Sequence, residues 1–256
     1  MSFISYPTVK YVLQAAVRDK LILSLLLVIA LGTALSVFLG SAAYVEKYQF
    51  ILVFTASGLR IFTTMGLVLF CVFFIRRSFD NRDVDYLLSR PISRVGFIVS
   101  HALAFSVMAV LLGAACTIAL YFSAPITFGS GHMVWGLSLI FELMIMANAA
   151  LFFSMVLPSA SSSSMIVFAL YVLGRTIGIL LGIVQSGLAA SPMMKGLSFV
   201  MEFVSLIIPR LDLMVQTNWL LYGVKDISLT FIVAQGIVFS ALLVTAAIVD
   251  LVRRQF

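Results

Sequence analysis

Long uncharged apolar runs alternate with short polar segments along the whole chain. A membrane-spanning helix needs about 20 mostly apolar residues. Leu21–Ala43 carries no charge, and Phe50–Ile75 is interrupted only by Arg60. Val95–Phe122 carries His101 near its start, Met133–Leu157 carries Glu142, Met165–Leu188 carries Arg175, and Ile227–Val249 closes the series. The pattern predicts an all-α polytopic membrane protein with six transmembrane helices and both termini on one side. Met193–Ile208 lies between Pro192 and Pro209, roughly 16 residues or about 24 Å at helical rise. It carries Lys195, Ser198, Glu202 and Ser205 as a polar stripe, so it reads as an amphipathic or re-entrant helix on the outer face rather than a seventh span. At the N-terminus, Lys10, Gln14 and Arg18 recur every four residues and Pro7 suits a first helical turn. Residues 1–20 therefore read as a helix lying on the membrane surface. Ser159–Ser164, after Pro158, reads as a short loop joining the fourth and fifth spans.

Composition narrows the class. Of 256 residues 62% are hydrophobic and 10% charged, with a mean hydropathy of +1.17. Soluble domains run at about 45–50% apolar and about 25% charged, so a soluble enzyme, a disordered chain and a collagen-like fibre are excluded. The formal charge of +6 acts first as an orientation signal. Lys10, Arg18, Lys20, Arg76, Arg77, Arg82, Arg90, Arg94, Arg253 and Arg254 fall on one side, against Lys47, Lys195, Arg210 and Lys225 on the other. The positive-inside rule then makes both termini cytoplasmic. The first span is longer than a signal-peptide core and reads as uncleaved. Cys71 and Cys116 lack a second cysteine or histidine at metal-ligand spacing and read as buried small residues.

The largest charged segment is Arg76–Arg94, RRSFDNRDVDYLLSRPISR. Asp83–Ser89 can form a short helix bearing Leu87 and Leu88. Pro91 disfavours helix at Arg90, and Ser93 can cap the third span. A short helix with leucines flanked by charge suits docking to a soluble partner; an ordinary solvated loop with orienting arginines is the alternative. This segment resembles the cytoplasmic loop of ABC type-2 exporter permeases, in which a coupling helix seats in a groove of the ATPase. The matching positions are Asp83 or Asp85, Leu87, Leu88, Pro91, Ser93 and Arg94. The six-span layout, the surface helix and short outer helices in 189–226 are similar too. The stretch Ile207–Gly223, IIPRLDLMVQTNWLLYG, resembles permeases grouped with multi-copper enzyme maturation systems.

The resemblance implies a single permease domain in a bacterial inner membrane, paired with a second permease subunit as homodimer or heterodimer. It also implies two cytoplasmic ATPase subunits, which would hold the ATP and magnesium. None of the five lysines is followed by Ser or Thr, so no G-x-x-x-x-G-K-[ST] phosphate loop exists and the ATPase would be another polypeptide. No catalytic or metal-binding constellation is present, and no nucleic-acid partner is expected. A membrane scaffold recruiting a cytoplasmic protein through Arg76–Arg94 is the competing class.

Charges inside spans are costly and are candidates for function. Arg60 and Glu142 each lie about 22 Å from the cytoplasmic edge and Arg175 about 16 Å. Spans four and five share a short connection, so Glu142–Arg175 is the expected pair and Arg60 the alternative partner. The pair could fix helix packing or line a pathway, and Arg60 could instead snorkel to the outer headgroups. His101 reads as a packing residue and His132 as an exposed loop residue. Small residues every four positions let helix backbones approach; Gly32, Ser36 and Gly40 in span one and Gly174, Gly178 and Gly182 in span five have that spacing. The resemblance points these ridges toward the second subunit, with packing inside one subunit as the alternative.

Overall fold

The computed structural model describes residues 5–41, 47–80, 93–185, 203, 207–224 and 227–253. Asp83, Asp85, Leu87, Leu88 and Pro91, and nearly all of Met193–Ile208, lie outside the described residues. The helices are α1 (Tyr6–Arg18), α2 (Leu21–Ser41), α3 (Lys47–Asp80), α4 (Arg94–Ser123), α5 (Ser130–Val156), α6 (Ala160–Gln185), α7 (Asn218–Tyr222) and α8 (Leu229–Arg253). No strand occurs among the described residues. Six of the helices, α2 to α6 and α8, are long and apolar enough to cross a membrane; the chain is a multi-pass helical membrane protein.

Boundaries differ from the apolar runs where polar residues help a helix continue. α3 has 34 residues, about 51 Å against a hydrocarbon core of about 30 Å. Arg76 and Arg77 therefore stay helical beyond the apolar run. The serine run expected to be a loop instead forms the start of α6. Ser159 Oγ accepts from the Ser162 N–H at 3.1 Å, and Ser163 and Ser164 donate back to the carbonyls of Ser159 and Ala160. Serine side chains satisfy the free backbone groups of a first turn, so a polar run does not require a loop. Ser93 caps α4, accepting from the Gly96 N–H at 3.0 Å.

α5 is the hub, packed against α3, α4, α6 and α8. Its most apolar stretch is 67% buried, whereas that of α2 is 17% buried. Between α3 and α4, Phe70 and Phe74 meet Phe105 edge-on at 6.5 and 6.3 Å between ring centroids. His101 lies in this aromatic layer, with Nδ1 2.8 Å from the Phe97 carbonyl of its own helix, which makes it a packing residue. Apolar burial gives little net drive between helices surrounded by lipid, so close packing and hydrogen bonds carry more weight. Ser36 Oγ, 2.6 Å from Thr55 Oγ1, joins α2 to α3 in this way. Cys71 and Cys116 are buried free thiols.

Long-range hydrogen bonds gather one end of the bundle. The Ser5 N–H donates to Ser100 Oγ at 2.9 Å, Arg76 Nη1 to the Leu157 carbonyl at 3.1 Å, and Arg94 Nη1 to the Leu251 carbonyl at 3.2 Å. That end holds α1, the end of α3, the start of α4, the α5–α6 turn and the end of α8.

Candidate functional site

The polar centre of the bundle forms where an irregular segment meets three spans. Pro209 cannot continue a helical hydrogen-bond ladder, and the chain from Pro209 to Thr217 contains only a 3-10 turn at Leu211–Leu213. Leu211, Met214 and Val215 are fully buried, against α5 and α6. Non-helical backbone at membrane depth is tolerated only when protein groups satisfy it, and two arginines do so. Arg175 Nη1 donates to the carbonyls of Leu211 and, at 2.6 Å, Met214, while its Nη2 reaches the Val215 carbonyl at 3.4 Å. Arg60 Nη1 donates to the same Val215 carbonyl at 3.1 Å, and the Val215 N–H donates to Ser138 Oγ at 3.0 Å. Val215 has φ of 50°, a left-handed conformation costly for a β-branched residue, about 1–3 kcal/mol. The three surrounding side chains hold it there.

Glu142 completes the centre. It is fully buried, and its Oε2 lies 3.6 Å from Arg175 Nη1. It stands 12 residues into α5, about 18 Å from that helix's start. The Glu142 carboxylate and the Tyr171 hydroxyl face each other without a hydrogen bond of ordinary geometry among the described residues. Tyr171 lies within electrostatic reach of both Glu142 and Arg60. The structure thus brings Arg60, Glu142 and Arg175 into one cluster, but the arginines spend their hydrogen bonds on backbone carbonyls. Arg60 points inward to Val215 rather than to headgroups.

The glycine ridge of α6 serves the same segment. A side chain on Gly174 would meet the Pro209 carbonyl at 2.8 Å and Leu211, and one on Gly178 would meet the Asp212 carboxylate. At these two positions the expected contact with a second subunit is corrected: the space is taken by the protein's own Pro209–Asp212. In α2, Ser36 and Gly40 face α3, Gly40 lying against Ile51. Among the described residues, nothing lies within 4 Å of a side chain built on Gly32 or Gly182, so of the six ridge positions these two leave room for another chain. His132, expected to be exposed, is 1% exposed. It sits in the first turn of α5, its Nδ1 accepting from the Gly129 N–H at 3.2 Å.

A second arrangement holds the roots of the 81–92 segment. Arg76 donates to the Leu157 and Pro158 carbonyls, the latter at 2.6 Å, and pairs with Asp80 at 2.9 Å. Arg94 reaches the last turns of α8. Residues 80 and 93 are thus tied to the α5–α6 turn and to α8. The sequence marked Arg76 only as an orienting charge, and no residue type advertises a carbonyl acceptor. Among the described residues no cluster of His, Cys, Asp and Glu could hold a metal. No family model matches this chain, and no curated protein matches it.

Proposed function

We propose that this chain is the permease subunit of an ATP-binding-cassette exporter in a bacterial inner membrane, driven by separate cytoplasmic ATPase subunits. The supporting observation is the Arg76–Arg94 segment, whose residues resemble a coupling helix and whose two roots are stapled to other helices. A push on residues 81–92 would reach α3 and α4 directly, the α5–α6 turn through Arg76, and α8 through Arg94. Such fastening suits mechanical transmission and is unnecessary in a passive loop. In this reading the end bearing α1 and the termini is cytoplasmic, residues 1–20 lie on that surface, and 189–226 enters from the opposite side, with Pro209–Thr217 inserted among the spans. A second permease subunit completes the pathway, with Gly32 and Gly182 as the open contact points. The Arg60–Glu142–Arg175 centre holds the irregular segment against the pathway-forming spans. The permease performs no covalent chemistry; its partners hydrolyse the ATP.

Affinity purification of the full chain from its native membranes tests the reading. An ATP-binding-cassette protein should co-purify, with hydrolysis that depends on the permease. Recovery of the chain with a different soluble protein and no ATPase would contradict the proposal and favour the scaffold.

A further inference from the structure

We infer that the groove between α1 and the end of α3 is a binding site for an anionic phospholipid. The inference requires only that the bundle span a membrane, and it stands apart from the transporter reading.

The level of the charges is written in the sequence. Arg18 immediately precedes the turn into α2, and Arg77 follows the apolar run that ends at Ile75. Both therefore stand where hydrocarbon gives way to headgroups, although they belong to different helices. Lys20, with φ of 56°, forms the tight turn that lets α1 fold back on the bundle. α1 buries Val9, Val12 and Ala16 yet leaves Tyr11 54% and Val17 64% exposed. Water would penalise that apolar surface, whereas an interfacial helix places it against lipid.

Between α1 and α3 lies an open cavity of about 910 Å³, lined by Lys10, Arg18 and Arg77, with Asp19 as the one acid among the described residues that line it. The nearest ion pair, Arg77 Nη1 to Asp19 Oδ2, is 3.9 Å long and both side chains are exposed. Among the described lining residues, three cations therefore stand against one acid. A second cavity of about 280 Å³ shares Asp19, Phe74 and Arg77 and is otherwise lined by Phe70 and Phe73. It lies along α3 from Arg77 to Phe70, about 10 Å of helix toward the membrane core. A cationic chamber at headgroup level that shares a wall with an aromatic slot matches the form of a phospholipid: phosphate above, acyl chain below. A soluble phosphate would use the chamber and leave the slot empty.

The full chain, purified in neutral detergent, is titrated with dioctanoyl phosphatidylglycerol, dioctanoyl phosphatidylcholine and glycerol phosphate, with binding read by native mass spectrometry. Phosphatidylglycerol should bind best. A basic residue near an anionic surface contributes about fivefold in affinity, so R18Q with R77Q should weaken it about 25-fold. R18K with R77K should retain binding, and K47Q, at the other end of α3, should leave it unchanged. Phe73→Ser should weaken the lipid but not glycerol phosphate. Equal binding of the two lipids, or retention in the double glutamine variant, would overturn the site. Glycerol phosphate binding as tightly as the lipid would overturn the lipid assignment.

Discussion

Arg175 and Glu142 face each other in the bundle, but their removal should have very unequal consequences. Arg175→Gln takes the guanidinium donors away from the carbonyls of Leu211, Met214 and Val215, all fully buried. Interhelical hydrogen bonds in membranes average about 0.6 and reach about 1.7 kcal/mol, so three of them bracket about 2–5 kcal/mol. Arg60 still serves Val215 and glutamine can replace one donor, which lowers the expectation to about 2–4 kcal/mol. The same change leaves the Glu142 carboxylate without its 3.6 Å counter-charge. Glu142→Gln instead keeps every carbonyl bond, and glutamine can still face the Tyr171 hydroxyl, so its cost should stay below about 1 kcal/mol. In the Arg175→Gln background, Glu142→Gln should restore part of the loss, because it removes a buried charge left with only Arg60 near it. Reversible unfolding in mixed micelles, with all four proteins compared at unchanged m-value, measures the cycle. Equal losses for the two single variants, or strict additivity, would refute the assignment of Arg175 to the irregular segment.

Three other outcomes follow from the same geometry. Gly178→Leu should destabilise the isolated subunit by about 1–3 kcal/mol, because the space belongs to Asp212, whereas Gly182→Leu should leave the subunit's stability unchanged and weaken only association between subunits; thermal unfolding and cross-linked dimer yield separate the two effects. Arg76→Gln should reduce ATP turnover in the complex and cost about 1 kcal/mol through its contacts to the part-buried Leu157 carbonyl and the exposed Pro158 carbonyl. Asp80→Asn should affect neither, since an exposed i,i+4 pair is worth about 0.3–0.5 kcal/mol.

The spans were legible because a bilayer imposes length and apolarity on contiguous residues, and Leu21–Ser41 or Leu229–Arg253 meet both conditions locally. The polar centre was only half legible. Glu142 and Arg175 stood out as charges at membrane depth, and a short connection between their helices brought them near each other. The main partners of Arg175 are the backbone carbonyls of Leu211, Met214 and Val215, and a carbonyl has no residue type to read. The signal available was Pro209, which breaks helix near a hydrophobic stretch; it marked an irregular segment but not its insertion among the spans. The glycine ridge was visible as spacing, yet spacing is the same whether the approaching backbone belongs to a partner or to Pro209. His132 was misread for a related reason: it lies beside loop glycines, but α5 starts at Ser130 and carries it into the bundle.

Cysteine cross-linking from position 85 tests the central claim most directly. A cysteine-free full chain carrying Asp85→Cys is expressed with its native membrane complement and treated with a short thiol-reactive cross-linker in the nucleotide-free and ATP-bound states. The account predicts capture of an ATP-binding-cassette subunit, with a yield that changes between the two states, and loss of coupled ATP turnover when Leu87 and Leu88 are replaced by Asp. A complex that contains the ATPase but yields no adduct from position 85, and hydrolyses ATP normally with both leucines replaced, would contradict it.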